Sequence, residues 1–285
     1  MFVIKDHFEY SDACFARIRH PENRDLCICA DFSTQPAEYG KGMVRVVMDG
    51  MSDGNGKEAV EIAAQSLMHH LLGKLIAASR PMAESIETGI LNGLDSEALG
   101  QQLKDRIFGI IQAAFNAADN ALRSSSYDKP NCTISVAVVF YRYLFTANMG
   151  DSPIYLLDLS AKASDLIPMF QCHNVAGESV AVGTMTEEEA LHSRAASLLR
   201  VFLGCREYSL VGYTHFAMTE LPQRSILLLG SDGALAQLTK KTMASTLSAH
   251  YADGLESAHE ELQRLVEESG SVDDYTLVMD LIETD

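Results

Sequence analysis

The order of strand-like and helical runs constrains this chain more than any other feature. Runs rich in β-branched and apolar residues fall at 26–32, 43–48, 133–140, 143–148, 154–157, 209–216, 225–229 and 275–281. Helical periodicity enters only in blocks. One block runs over about 56–75 with Ile62, Ala63, Leu67, Leu71 and Leu75 on one face. A longer one follows the cap signal Asp95-Ser96 and carries Leu99, Leu103, Ile107, Ile111, Ala114, Ala118 and Leu122. Two more are expected at about 240–250 and 255–268. Two strands, two helices, a series of strands, two helices and a last strand do not alternate as βαβ crossovers require. The order therefore predicts an α+β layer architecture, with antiparallel sheets and helices segregated to their outer faces. The short polar stretches at 80–87 and 123–131 read as connections inside one domain spanning 1–285, because no linker, internal repeat or low-complexity tract interrupts the pattern.

Charge and cysteine usage narrow the function classes. A formal charge of -17 opposes binding to nucleic-acid phosphates, which needs clustered Lys and Arg. A surplus of carboxylates suits a solvated surface and hard cations alike. Cys27-x-Cys29 sits on one face of a strand, and the cysteines read as buried free thiols. The start of the sequence lacks a basic stretch followed by an apolar run, and no apolar run approaches the roughly 20 residues that cross a bilayer. The expected setting is a reducing cytoplasm, with no membrane partner. The histidines show no HExxH or His-Cys zinc spacing, GxxxxGKS is absent, and Ser231 lacks the surroundings of a hydrolase elbow.

Aspartates recur where strands end. Asp25 precedes LCICADF, Asp49 closes VRVVMD before Gly50, Asp151 lies in ANMGDSP, Asp232 follows SILLLGS and Asp273 precedes DYTLVMD. Each alone is an ordinary turn residue. An apolar strand ending in Asp-Gly also delivers a carboxylate to a sheet edge and leaves the next carbonyl open to a cation. Several such ends together fit a pair of divalent ions roughly 3.5 to 4 Å apart, which acidify a water and clamp the oxygens of an in-line phosphoryl displacement.

The motifs, in order, are Asn23-Arg24-Asp25, VVMDGMSDG, TANMGDSP, MTEEEALHSRAASLLRVFLG, LLLGSDGA and Asp273-Asp274-Tyr275-Thr276. They resemble the NED, DGMGG, ANxGDSR, ITEEEA…ALG, LLCSDGL and DNxT motifs of bacterial type 2C (PPM) metal-dependent serine/threonine phosphatases, over about 19–282. The resemblance implies a four-layer α-β-β-α sandwich of two antiparallel sheets flanked by helix pairs, with two Mn²⁺ or Mg²⁺ ions between the sheets and a third held more weakly. Asp49 would bridge both ions, and the Gly50 carbonyl would add a ligand. Asp232 and Asp273 would complete the set, Asp25 would hold metal-bound water, and Asp151 would serve the third ion. Catalytic roles fall to Asp25, Asp49 and Arg19, and the segment 166–199 would be a mobile flap. The implied partner is a phosphorylated protein, opposing a serine/threonine kinase, and the chain is expected to be a monomer.

The sequence departs from this pattern in places. The glutamate of NED is Arg24, expected to point away from the cations. His20 fills the place of the phosphate-gripping arginine, with Arg19 beside it as the candidate for that role. Ser52 and Asp53 replace glycines, and Asp53 reads as a turn residue. Met51 stands where animal members carry a histidine, which leaves protonation of the leaving group to metal-bound water. Pro153 replaces an arginine, Asp274 an asparagine, and His173-Asn174 falls near the flap, where a substrate-side role is open to it. These changes leave the principal ligands in place. They also motivate an alternative: a catalytically weak or inactive regulatory module with the same fold. A further variant is a phosphatase dedicated to a single phosphorylated partner.

Overall fold

The computed structural model describes residues 1–12, 22–161, 165–271 and 273–284. Ten strands are described: β1 (Phe2–Asp12), β2 (Asp25–Ser33), β3 (Lys41–Asp49), β4 (Ile134–Phe140), β5 (Tyr143–Met149), β6 (Ile154–Asp158), β7 (Leu166–Pro168), β8 (His215–Glu220), β9 (Arg224–Gly230) and β10 (Tyr275–Thr284). They form two five-stranded sheets with orders β1-β10-β9-β6-β7 and β2-β3-β4-β5-β8, and every pairing within them is antiparallel.

Helices α1 (Gly56–Leu67), α2 (Gly73–Leu91) and α3 (Ser96–Ser124) cover the β2–β5 sheet, and Leu67, Leu71, Leu75, Ile107, Ile111 and Phe115 pack on Val44, Val46, Val136 and Phe145. On the opposite side α6 (Asp232–Leu235), α7 (Lys240–His250) and α8 (Leu255–Ser269) cover the β10–β9 sheet through Leu235, Met243, Leu247, Leu262 and Val266. A third core lies between the sheets, built from Met43, Val47, Ala137, Val139, Ile154, Leu156, Leu227, Leu229 and Val278. Helices on both outsides and a core between two sheets make four layers, as the resemblance implies. Strands β4 and β5 are buried along their whole length for that reason: one face meets helices and the other meets the second sheet. The remaining short helices, α4 (Val175–Ala181) and α5 (Glu187–Leu191), lie in the segment expected to be a flap.

Two sequence expectations are corrected, and one strand forms where none was expected. Residues 80–87 are not a connection but the interior of α2, where Ala78, Ser79, Met82, Ala83 and Ile86 extend the buried stripe past Pro81, so tertiary packing overrides the local break. The strand expected at 209–216 is a turn of 3₁₀ helix over Val211–Tyr213 followed by β8. Strand β1 gave no clear signal because it is an edge with charged residues along it, and a bulge between Ile4 and Asp6 shifts its alternation.

A buried cation joins the two sheets. The Arg45 guanidinium on β3 reaches across the inter-sheet core and donates two hydrogen bonds of 2.8 Å to Asp280 on β10, with a third of 2.8 Å to Asp31. Both Arg45 and Asp280 are essentially inaccessible. Replacing Arg45 by alanine leaves the buried Asp280 carboxylate with His7 as its remaining side-chain partner, and a loss of about 3 kcal/mol in unfolding free energy is expected from the shift in denaturant midpoint.

Candidate metal centre

The aspartates singled out in the sequence converge at one end of the gap between the sheets. Asp25 opens β2 and Asp49 closes β3, and the two are directly opposite in the antiparallel register. Asp232 starts α6 at the end of β9, and Asp273 stands just before β10. Asp151 follows β5 through Gly150. The Asp49 carboxyl is within the field of Asp25, Asp232, Asp273 and Asp151, and is close enough to Asp232 to share a hydrogen bond with it. Carboxylates from both sheets, far apart in the chain, thus meet in one cluster.

The backbone fixes this convergence. Asp49 N–H donates to Thr133 Oγ1 at 3.2 Å and Asp49 C=O accepts from Thr133 N–H at 2.8 Å, so the residue leading into β4 grips the end of β3. Thr133 Oγ1 in turn pairs with Ser152 Oγ at 2.6 Å, tying the strand end to the turn that carries Asp151. Gly50 is demanded by close approach: a Cβ there would come within 2.3 Å of the Gly56 carbonyl oxygen, and a Cβ on Gly56 would come within 2.5 Å of the Gly50 carbonyl carbon. Asp53 is an exposed turn residue paired with Lys129 at 3.1 Å. At the other sheet, a Cβ on Gly233 would meet the Asp274 carbonyl at 2.0 Å, which brings Asp232 and Asp273 together.

The electrostatics call for cations. Neither carboxylate oxygen of buried Asp25 has a hydrogen-bond partner among the described residues. The nearby hydroxyls are engaged elsewhere, Ser231 Oγ donating to the Asp274 carbonyl at 3.3 Å and Thr276 Oγ1 pairing with Ser11 at 2.7 Å. Burial, and then the charges of Asp274 and Asp273, push Asp25 up to about 7. Asp151, mainly through burial, is pushed up to about 6 although Asn174 Nδ2 donates to it at 2.8 Å. Burial first and neighbouring carboxylates second hold Asp49 and Asp232 well above the usual carboxylate range. An all-oxygen cluster whose buried carboxyls oppose one another's ionisation matches the donor chemistry of Mg²⁺ or Mn²⁺.

A pH signature follows. Asp25 ordinarily titrates near 3.8, and the native chain keeps its proton up to about 7, so between these values the native state binds more protons than the unfolded one. Stability of the metal-free chain is expected to fall as pH rises through that window, by on the order of 4 kcal/mol for Asp25 alone. Thermal melts across the window in chelator should show the fall, and saturating Mn²⁺ should remove it.

Arg24 overturns its expectation. Instead of pointing away, its guanidinium lies 3.6 Å from the Asp274 carboxylate and 4.0 Å from Asp273, and its backbone N–H donates to Asp274 at 3.0 Å. The reason is Asp274: a carboxylate only 3% exposed requires a positive partner, and Arg24 supplies it. His173 is also accounted for. Buried, with its pKa pushed down to about 4, it accepts a hydrogen bond of 3.2 Å from Gly150 N–H and so braces the turn before Asp151. Asn174, for which the sequence leaves a substrate-side role open, stands against Asp151. It bonds Asp151 and also caps α4 through Gly177 N–H at 2.8 Å, and its position between a strand-end motif and a helix start was the available signal. Arg19 and His20 lie outside the described residues.

A family model for protein phosphatase 2C matches residues 25–268, and the chain belongs to that family. No curated protein sequence gives a significant match. Among solved structures the chain is similar to the serine/threonine phosphatase Stp1 from Staphylococcus aureus, at 18% identity and a TM-score of 0.71 over 99% of this chain and 96% of that one. It is likewise similar to the S. agalactiae serine/threonine phosphatase, at 18% identity and a TM-score of 0.69 over 100% of both chains. The catalytic domain of the serine/threonine phosphatase PstP, solved with two manganese ions, matches at 18% identity and a TM-score of 0.59 over 99% of both chains. The fold is that of these phosphatases. Among the described residues no helix is long and apolar enough to cross a membrane.

Proposed function

We propose that this chain is a single-domain phosphatase that hydrolyses phosphoserine and phosphothreonine on proteins with two bound Mn²⁺ or Mg²⁺ ions. The carrying observation is the gathering of Asp25, Asp49, Asp151, Asp232 and Asp273 into one mutually repelling cluster. Membership of the protein phosphatase 2C family supports the reading, as does a solved relative that carries two manganese ions.

In this reading Asp49, the Gly50 carbonyl, Asp232 and Asp273 hold the two ions. When bound, such ions supply an acidified water and neutralise charge on a phosphoryl group under in-line attack. Asp25, with both oxygens free of other hydrogen bonds among the described residues, accepts a proton at its carboxylate and orients the attacking water. Asp151 serves a third, weaker cation, and Asn174 links that position to α4, so that residues 166–199 act as a flap. Arg19 is assigned to the substrate phosphate. The proposed setting is a bacterial cytoplasm, where a monomer opposes a serine/threonine kinase.

Hydrolysis of a phosphothreonine peptide, with Mn²⁺ added or chelated, tests this directly. Turnover that requires the metal and saturates with it is the expected result. One observation favours the alternative of a binding module, namely the Arg24 guanidinium competing for Asp273. Tight Mn²⁺ binding without turnover on a panel of phosphopeptides would establish that alternative instead.

A further inference from the structure

We infer that the open edge between the two sheets carries a second metal site, built for Zn²⁺ by the His7 imidazole, the Glu9 carboxylate and the Cys29 thiolate, with Cys27 in reach as a fourth ligand. His7 and Glu9 stand on β1 and the two cysteines on β2, which are the terminal strands of different sheets. The bulge between Ile4 and Asp6 resets the alternation of β1, so Phe8 and Tyr10 pack with the helix-side core while His7 and Glu9 face the other way. Cys27 and Cys29 pack from β2 against the core between the sheets.

The ligand atoms of His7, Glu9 and Cys29 all lie within 4.8 Å of one another. His7 Nε2 is 3.7 Å from Glu9 Oε2, too long for a hydrogen bond. Zinc bonds of about 2.0–2.3 Å give a tetrahedron with edges of about 3.3–3.7 Å, so this spacing suits two ligands sharing one ion. The imidazole is already oriented. Its Nδ1 pairs at 2.8 Å with Asp280, whose carboxylate is buried and doubly bonded by Arg45, and a carboxylate on Nδ1 favours the tautomer that presents the Nε2 lone pair outward. The Cys27 and Cys29 side chains are close enough to influence each other's ionisation, and the Cys29 sulfur lies within 4.8 Å of a Glu9 carboxylate oxygen.

Imidazole, thiolate and carboxylate together select zinc over Mg²⁺ or Mn²⁺, whereas the aspartate cluster offers oxygen alone. Glu9 and one thiolate balance the ion, while Asp280 and Asp31 balance Arg45. Bound zinc would staple β1 to β2 and close the sandwich at its open edge.

Cobalt is the probe, added to the full chain with excess Mg²⁺ occupying the oxygen-only centre. A thiolate-to-cobalt absorption band is expected that zinc bleaches, that Asp49→Asn keeps and that Cys29→Ser abolishes. Affinity should drop roughly tenfold or more in His7→Ala and in Glu9→Gln, two exposed positions whose replacement leaves the fold intact if Cys29→Ser does not. Zinc should raise the melting temperature of the natural chain and not that of Cys29→Ser, with Mn²⁺-dependent hydrolysis unchanged between them. No thiolate band, or one that survives Cys29→Ser and disappears in Cys172→Ser, would overturn the assignment.

Discussion

Asp49→Asn is expected to lower Mn²⁺-dependent hydrolysis by about a thousandfold or more while raising the stability of the metal-free chain. The two effects share one cause. The carboxyl lies against Asp232 and in the field of Asp25, Asp273 and Asp151, where burial and repulsion hold it well above the usual carboxylate range. The substituted amide keeps the shape and the backbone bonds to Thr133, so the strand end stays in place. It removes the negative oxygen that two cations would share, forfeiting several kcal/mol of charge stabilisation, which corresponds to about 10³ in kcat/KM. In chelator the same change relieves like-charge repulsion, and the melting temperature should rise. A variant that merely misfolds would lose both activity and stability, so opposite signs separate the two explanations. Lost activity with lowered metal-free stability would count against a cation role for Asp49.

Arg24→Glu is expected to cost about 3–5 kcal/mol of stability, and adding Asp274→Asn should recover most of it. Arg24 faces a carboxylate buried to 3% exposure, 3.6 Å from its guanidinium. A glutamate there would set two acidic groups against each other beside Asp273. Once Asp274→Asn is added, the introduced glutamate has an amide neighbour instead, the pairing that NED and DN motifs present. Denaturant midpoints for both single variants and the double complete a thermodynamic cycle. Additive losses would mean that the two departures arose independently and that Arg24 has no compensating task.

The layer order was legible because strands and helices occur in blocks, and the buried runs of β4 and β5 announce strands covered on both faces. The members of the aspartate cluster were legible too, since each of them borders an apolar strand. Contacts between distant segments were not. Nothing near Arg24 shows that Asp274 would be buried opposite it, 250 residues further on. The double role of Asn174 was hidden likewise, as its partner Asp151 lies 23 residues before it and the helix it caps is short. Strand β1 escaped because its bulge places charged side chains where alternation calls for apolar ones, and the same bulge delivers His7 and Glu9 to the sheet edge.

Anomalous diffraction from crystals grown with Mn²⁺ is expected to show two manganese peaks at the aspartate cluster, both beside Asp49, with Asp232 and Asp273 among the remaining ligands and Arg24 still on Asp274. Density without manganese at Asp49, or manganese bound only elsewhere on the chain, would contradict that placement.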